Sequence, residues 1–340
     1  MTTKKRALTG IKPTGTPHIG NYAGMFKPAL ELSRRTEFNV NVFLADYHAL
    51  NDVNARKNLG QMTLELAATF LALGFDHKGV TFYRQSDVPE TFELSSFLNN
   101  FTPKGLMNRA HAYKASVQAN EENGKTGEDA DIGINMGLYN YPILMSADIL
   151  LFDADLVPVG RDQRKHIEFA SDIAGSVNAV YGDTTLKLPE GLMSENTMEV
   201  PGLDGRKMSK SYGNVLPIFA DFAEVEKTCK RIKTDSKQPD EPKDKDNLVY
   251  TLYRALATPE ELKDFEDRFL PGGMGYGTAK AELAALHEAK FGRARDEYAR
   301  IVADAGYVNS ILLEGAQKAR DIATPVMNRV RKAAGLFVSE

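Results

Sequence analysis

RALTGIKPTGTPHIGNY, residues Arg6 to Tyr22, decides the fold. Arg6 to Ile11 reads as a short strand, and the apolar spacing from Asn21 to Leu32 reads as a helix. Between them, two prolines, two glycines and a histidine punctuate the chain as a turn does. Strand, glycine-rich turn and helix make the entry to a parallel α/β sheet, whose ligands bind beyond the carboxyl ends of the strands. A helix start offers unpaired N–H groups and a partial positive charge, which suits a phosphate. Gly20 allows close approach to the backbone, and His18 can donate to a phosphoryl oxygen. Neither GxGxxG nor GxxxxGK[ST] is present. Taken alone, the stretch also reads as a glycine-rich turn carrying a surface histidine.

Further strands are expected at 40–45, 80–84 and 155–159, with helices at 55–73, 89–100, 103–118, 141–152 and 161–179. This alternation predicts an α/β, Rossmann-like, doubly wound parallel sheet over residues 1–214, with a helical insertion at about 101–140. Pro28 should kink or shorten its helix. The polar run 119–130 reads as a mobile loop, with Pro142 in the first turn of the helix that follows, and 184–205 as irregular chain. Beyond Asn214 only helices are expected, at 223–233, 246–257, 259–269, 278–303 and 308–334, giving an all-helical domain over 215–340. Thr258-Pro259-Glu260-Glu261 supplies a cap, a first-turn proline and first-turn acids.

The 340 residues are 42% hydrophobic and 26% charged, as in an ordinary globular protein. The first residues lack the apolar core of a secretion signal, and no run reaches membrane-spanning length, so a cytoplasmic enzyme without membrane attachment is expected. One cysteine excludes a disulfide framework and a cysteine-based metal cluster. The net charge of −4 argues against indiscriminate nucleic-acid binding but leaves room for a local basic face. Tryptophan is absent, although 13 Tyr and 17 Phe are present.

A second stretch, RKMSKSYGN from Arg206 to Asn214, sets two lysines three apart among small hydroxyl residues. Lysine is a compact charge on a flexible stem, able to follow a pyrophosphate as its negative charge grows. By itself the run also reads as a solvated loop. Together the two stretches resemble the paired signatures of the class I aminoacyl-tRNA synthetases, HIGH and KMSKS. Asn21 replaces the final histidine, which is the form seen in the tryptophanyl branch. That branch's opening, G-I-x-P-[ST]-G…IGNY, is matched by Gly10, Ile11, Pro13, Thr14, Gly15, Ile19, Gly20, Asn21 and Tyr22. The similarity continues through YPILMSADILLFDADLVPVGRDQRKHIE (Tyr141 to Glu168) and into the helical tail.

Tyr141, Met145 and Asp148 recur at i, i+4 and i+7 and share a helix face. Tyr141 and Met145 alone read as a core stripe, but a carboxylate on an apolar helix needs a partner, and indole N–H is a fitting donor. The resemblance assigns Asp148 that contact. Met145, where the tyrosyl branch carries glutamine, favours indole over phenol. Gly160 could admit ribose and adenine, with Asp162 accepting from ribose hydroxyls. The resemblance further implies tryptophan contacts from Gly10, Val159 and Gln163. It also implies one from His48, which reads equally as a buried core histidine. ATP contacts fall to Lys12, Pro13, Thr14, Gly20, Asn21, Gly160, Arg161, Asp162 and the loop Lys207-Met208-Ser209-Lys210-Ser211. Lys12 stands where many bacterial relatives carry glutamine.

The implied reaction is ATP-dependent activation of L-tryptophan and its transfer to tRNA(Trp). His18 and Asn21 would act at the α-phosphate, and Lys207 and Lys210 on the leaving pyrophosphate. Mg²⁺ would travel with ATP, with no protein metal site. A homodimer through the insertion is implied. So is anticodon reading by the helical tail, where Arg320, Arg329, Arg331 and Lys332 are candidates. A tyrosine–tRNA ligase and a synthetase-like binding protein without charging activity are the alternatives.

Overall fold

Lys5–Ile11 (β1) pairs in parallel with Phe38–Leu44 (β2) on one side and with Leu156–Val159 (β4) on the other. Thr81–Arg84 (β3) extends the sheet beyond β2, and Glu190–Met193 (β5) beyond β4, giving the order β3-β2-β1-β4-β5. The computed structural model describes residues 4–13, 15–52, 55–159, 164–193 and 200–337. Ala7, Leu8, Val40, Val42, Leu44 and Phe82 are all buried, as strands covered on both faces require. The doubly wound α/β sheet expected from the alternation is therefore what the chain forms. Strand order reverses between β1 and β4, so the crevice beyond their carboxyl ends is where this architecture seats a ligand.

The helices in chain order are α1 (Ile19–Asn21), α2 (Lys27–Ser33), α3 (Asp46–Ala49), α4 (Leu59–Ala72), α5 (Glu90–Leu98), α6 (Lys104–Met107), α7 (His111–Glu122), α8 (Met136–Leu150) and α9 (Arg164–Tyr181). After β5 follow α10 (Phe222–Lys230), α11 (Leu248–Leu256), α12 (Pro259–Phe269), α13 (Tyr276–Val302) and α14 (Ala305–Ala333).

Several expectations change. Pro28 does not end its helix. A π turn over Tyr22–Phe26, in which Lys27 N–H reaches back to the Tyr22 carbonyl, widens the coil just before the proline ring. The run 119–130 is not a free loop: α7 continues to Glu122, and Asn120 Nδ2 then donates to the Ala130 and Ile132 carbonyls at 2.8 and 2.9 Å. Pro142 lies inside α8, because Asn135 caps the helix at Leu138 N–H, well upstream of the expected start. Within 184–205, read as irregular, lies β5; it is an edge strand that pairs on one side only and carries no β-branched residue.

The largest difference concerns the helical tail. Thr258 does form the expected capping box with Glu261, but α14 leaves the other tail helices and packs on the sheet. Its Ala316, Ala319, Ala323, Val326 and Val330 belong to the core that holds Tyr83, Leu94 and Phe152. Arg320 pairs with Glu90 (3.0 Å), Arg329 with Asp153 (2.5 Å) and Arg331 with Glu93. Three of the four basic residues offered for the anticodon therefore point toward the sheet domain and are engaged there.

Candidate active site

The two signature stretches meet. Ile19 N–H donates to the Leu216 carbonyl (2.9 Å) and Ile218 N–H to the Pro17 carbonyl (3.1 Å), so the chain just after the lysine loop runs antiparallel to the histidine turn. Met208 is buried, and a Cβ added at Gly20 would come within 3.4 Å of its sulfur. Gly15 has φ +74°, and a Cβ there would stand 2.8 Å from Lys210 Nζ. The positive φ favours glycine there, and the lysine ammonium lies directly against it.

Asn21 and His18 close a reciprocal cap: Asn21 N–H donates to His18 Nδ1 (3.3 Å), and His18 N–H donates to Asn21 Oδ1 (3.2 Å). Nδ1 thus accepts, and a neutral ring carries its proton on Nε2. Burial first, and then the Lys210 ammonium, lowers the imidazole to about 4, so it is neutral at physiological pH. Burial also lowers Lys210 from the usual lysine range. Lys207 and Lys210 are both exposed, as is Ser211, whose hydroxyl lies 2.8 Å from that of Ser209.

Asn214, which sequence reasoning did not single out, holds the loop's shape. It is buried, accepts from Ser209 N–H (2.8 Å) and donates to Asp204 Oδ1 (2.7 Å) and the Lys207 carbonyl (3.1 Å). Asn214 and then Arg206 hold the Asp204 carboxyl at about 2. With its backbone shape set from below, the loop holds Lys207 exposed and brings the Lys210 ammonium to the histidine turn.

A cavity of about 420 Å³ opens at the predicted switch point, lined by Gly10 and Lys12 from the end of β1, Pro158 from β4, His48 from α3, and Tyr141, Met145 and Asp148 from α8. Phe43 forms part of its wall, so close that a Cβ at Gly10 would fall 2.3 Å from the ring. Asp148 is 3% exposed. His48 Nε2 lies 2.9 Å from its Oδ2, and Gln85 Nε2 donates to Oδ1 (2.8 Å) and Oδ2 (3.0 Å). Burial raises the Asp148 carboxyl, His48 and Gln85 pull it back, and Asp46 adds a smaller upward push. A carboxylate has about four acceptor sites and three are used, which leaves one on Oδ1.

His48 is thus half-buried, lining the cavity and paired with Asp148, and not enclosed in the core. Gln85 was missed; its signal was a polar residue at the carboxyl end of an apolar strand, where ligands bind. Pro13 is buried beside Lys12. Val159 ends β4. Thr14, Gly160, Arg161, Asp162 and Gln163 lie outside the described residues. Among the described residues no group of three or more His, Cys, Asp or Glu could hold a metal ion, and no helix is long and apolar enough to cross a membrane.

The family described as tRNA synthetases class I (W and Y) matches residues 1–292. A tryptophan–tRNA ligase from Pseudomonas syringae pv. tomato is 49% identical over 339 residues, covering 99% of this chain and 74% of that protein. One from Neisseria meningitidis serogroup A is 47% identical, covering 98% of each. Among solved structures, the Campylobacter jejuni tryptophanyl-tRNA synthetase complexed with ADP and tryptophan matches with a TM-score of 0.85 at 39% identity. It covers 97% of this chain and all of that one.

Proposed function

The chain belongs to the class I tRNA synthetases of the tryptophan and tyrosine branch and acts as a tryptophan–tRNA ligase, and from that premise we propose how its residues divide the two steps. Tryptophan enters the 420 Å³ cavity with its indole N–H on the remaining Oδ1 acceptor of Asp148 and its ring against Phe43 and Met145. ATP lies across the histidine turn, with its triphosphate between that turn and the lysine loop. The tryptophan carboxylate attacks the α-phosphorus. A new C–O–P linkage forms, the bond to the bridging oxygen breaks, and pyrophosphate departs.

No covalent chemistry falls to the protein, so the rate comes from alignment and charge. His18, neutral, donates from Nε2 to an α-phosphate oxygen, while Asn21 keeps the ring oriented through their mutual cap. Lys207 and Lys210 take up the charge of the leaving pyrophosphate. Lys12, exposed at the cavity mouth, sits beside the reacting carboxylate and phosphate. Mg²⁺ arrives with ATP, held by phosphates and water. In the second step a ribose hydroxyl of the tRNA(Trp) terminal adenosine attacks the activated carbonyl and AMP leaves.

We assign the partner-copy surface to the insertion. Helix α7 buries none of its own residues, and Ile132 and Met136 are 50% and 66% exposed. A homodimer there would cover them, and Met136→Glu should shift the molar mass in solution toward the monomer. Helices α10 to α13 are left to read the anticodon. Charging of tRNA puts the protein in the cytoplasm.

One observation carries the substrate assignment: a buried carboxylate with a spare acceptor in a largely apolar cavity. Pyrophosphate exchange into ATP should require tryptophan. Exchange driven by tyrosine in its place overturns the assignment.

A further inference from the structure

Gln85 follows directly on β3 and is 1% exposed. Both of its side-chain hydrogen bonds run from one nitrogen to one carboxylate, that of Asp148, at 2.8 and 3.0 Å. Its oxygen Oε1 is buried with no hydrogen-bond partner. Turning the amide over would not repair this, because the oxygen would then face a carboxylate that has nothing to donate. The side chain is therefore kept one way round by Asp148 alone, and an orphaned buried oxygen is the consequence. Such groups in a native fold point to a working constraint.

The neighbourhood fixes this arrangement from behind. Ser86 donates to Asp46 through its N–H (3.1 Å) and its hydroxyl (2.5 Å). Asp46 begins α3, the short helix that also carries His48. The two groups that grip Asp148, Gln85 from the end of β3 and His48 from α3, are thus tied to each other through Ser86 and Asp46.

We propose that Gln85 is a positioning residue for amino-acid selection: its amide fixes the Asp148 carboxylate as an oriented anion and so reserves one acceptor for a ring N–H. This deepens the tryptophan reading and rests on it. The groups facing Asp148 are His48 and Asp46 from α3, Tyr83 from β3 and Gln85 itself. Tyr83 is fully buried and stays neutral, and Asp46 pushes the carboxyl up. Of the two groups that hold the anion, His48 and Gln85, only Gln85 donates from a side chain that carries no ionisable group. Without its amide the carboxyl rises further. A protonated Asp148 would present a donor, which repels an indole N–H and suits an acceptor. Selection for tryptophan then depends on a residue that need not touch it.

The test uses the full-length protein with Gln85→Met, which keeps length and bulk, and Gln85→Glu, which keeps shape but removes both amide hydrogens. Tryptophan-dependent pyrophosphate exchange is followed as a function of pH, with β-(3-benzothienyl)alanine, which has sulfur in place of the ring N–H, as the competing substrate. In both variants KM for tryptophan should rise roughly 10- to 100-fold, while KM for ATP stays within about twofold. Preference for tryptophan over the sulfur analogue should shrink by a similar factor. The acceptor exists above the Asp148 pKa and is lost as pH falls through it, so the acid limb of tryptophan binding should move to higher pH. If kcat and both KM values deteriorate together, with discrimination and the acid limb unchanged, Gln85 is only structural and the proposal fails. Should a variant not fold, the other decides by the same readouts. Wild-type protein that shows no tryptophan-driven exchange would instead overturn the functional reading beneath, and this proposal with it.

Discussion

Asp148 illustrates how a single charge defines a pocket. It stands on α8 between Ala147 and Ile149, both buried, in a cavity whose other walls are largely apolar. A carboxylate there persists only with partners, and His48 and Gln85 supply them. Asp148→Asn keeps the volume but offers one acceptor oxygen where His48 and Gln85 already donate and the indole would be a third donor. Its KM for tryptophan should rise about 100-fold with little change for ATP. Binding can be followed alongside, since the chain contains no tryptophan and the added amino acid is the only indole emitter. Lys210 predicts the opposite signature. Lys210→Ala should lower the adenylation rate about 100-fold or more while tryptophan affinity moves by less than about threefold, because the lysine meets charge that develops at the transition state. Equal losses in both would remove Lys210 from that role. Most of this site was legible in the sequence because its motifs carry chemistry on adjacent residues: a histidine turn, a twin-lysine loop, a lone acid at helical spacing. Gln85 and Asn214 were not, because their parts are structural contacts that residue type alone does not announce. Gln85 reaches α8, and Asn214 reaches back to Asp204 beneath its own loop.

At the scale of elements, the strap 215–218 joins the lysine loop to the histidine turn, and α13 holds it from outside. His287, fully buried on α13, places Nε2 2.9 Å from the Pro217 carbonyl; that oxygen can only accept, so Nε2 carries the proton. Its Nδ1 has no partner, and burial lowers the ring to about 4 from 6.5. The sign follows from linkage. The unfolded chain takes up the proton below 6.5 and the folded one only near 4, so stability is full above 6.5 and falls as pH descends between them, by an amount of order 3 kcal/mol from this residue. Urea unfolding at pH 7 and pH 5 should show roughly 2 kcal/mol of that loss, the rest coming only near pH 4, and His287→Gln should flatten the dependence while keeping a donor for Pro217. A pH-independent midpoint in the wild type would contradict it. The elements themselves were mostly legible through periodicity, down to Pro259–Phe269 with its capping box. What was hidden depended on neighbours. The π turn shelters Pro28, Asn135 starts α8 early enough to enclose Pro142, and β5 is a strand only because β4 offers it an edge.

Taken whole, the molecule is less divisible than its sequence suggests. A composition shift at residue 215 marks the end of the strands but not the end of the catalytic core. Helix α14 returns to β3 so closely that a Cβ on Gly315 would lie 1.7 Å from the Phe82 carbonyl oxygen, and its apolar stripe fills the same core as Tyr83 and Phe152. In the other direction, Ile19 and Ala23 beside the histidine turn sit in the cluster built by Leu252, Phe265 and Phe291 of the tail helices. Each region supplies core to the other, so a fragment ending at 214 would expose both the face that α14 covers and the flank of the phosphate turn. That fragment should be insoluble or molten, and one ending at 304 should fare little better. Gly315→Ala in the full chain should cost about 1–3 kcal/mol, since helix and strand must part to admit a methyl group. A well-folded 1–214 fragment with a cooperative thermal transition would restore the two-domain picture. If the fragment fails instead, the tail helices are part of what holds the histidine turn in place. Ile19 and Ala23 pack in their cluster, so substitutions that loosen that cluster should lower the adenylation rate together with stability.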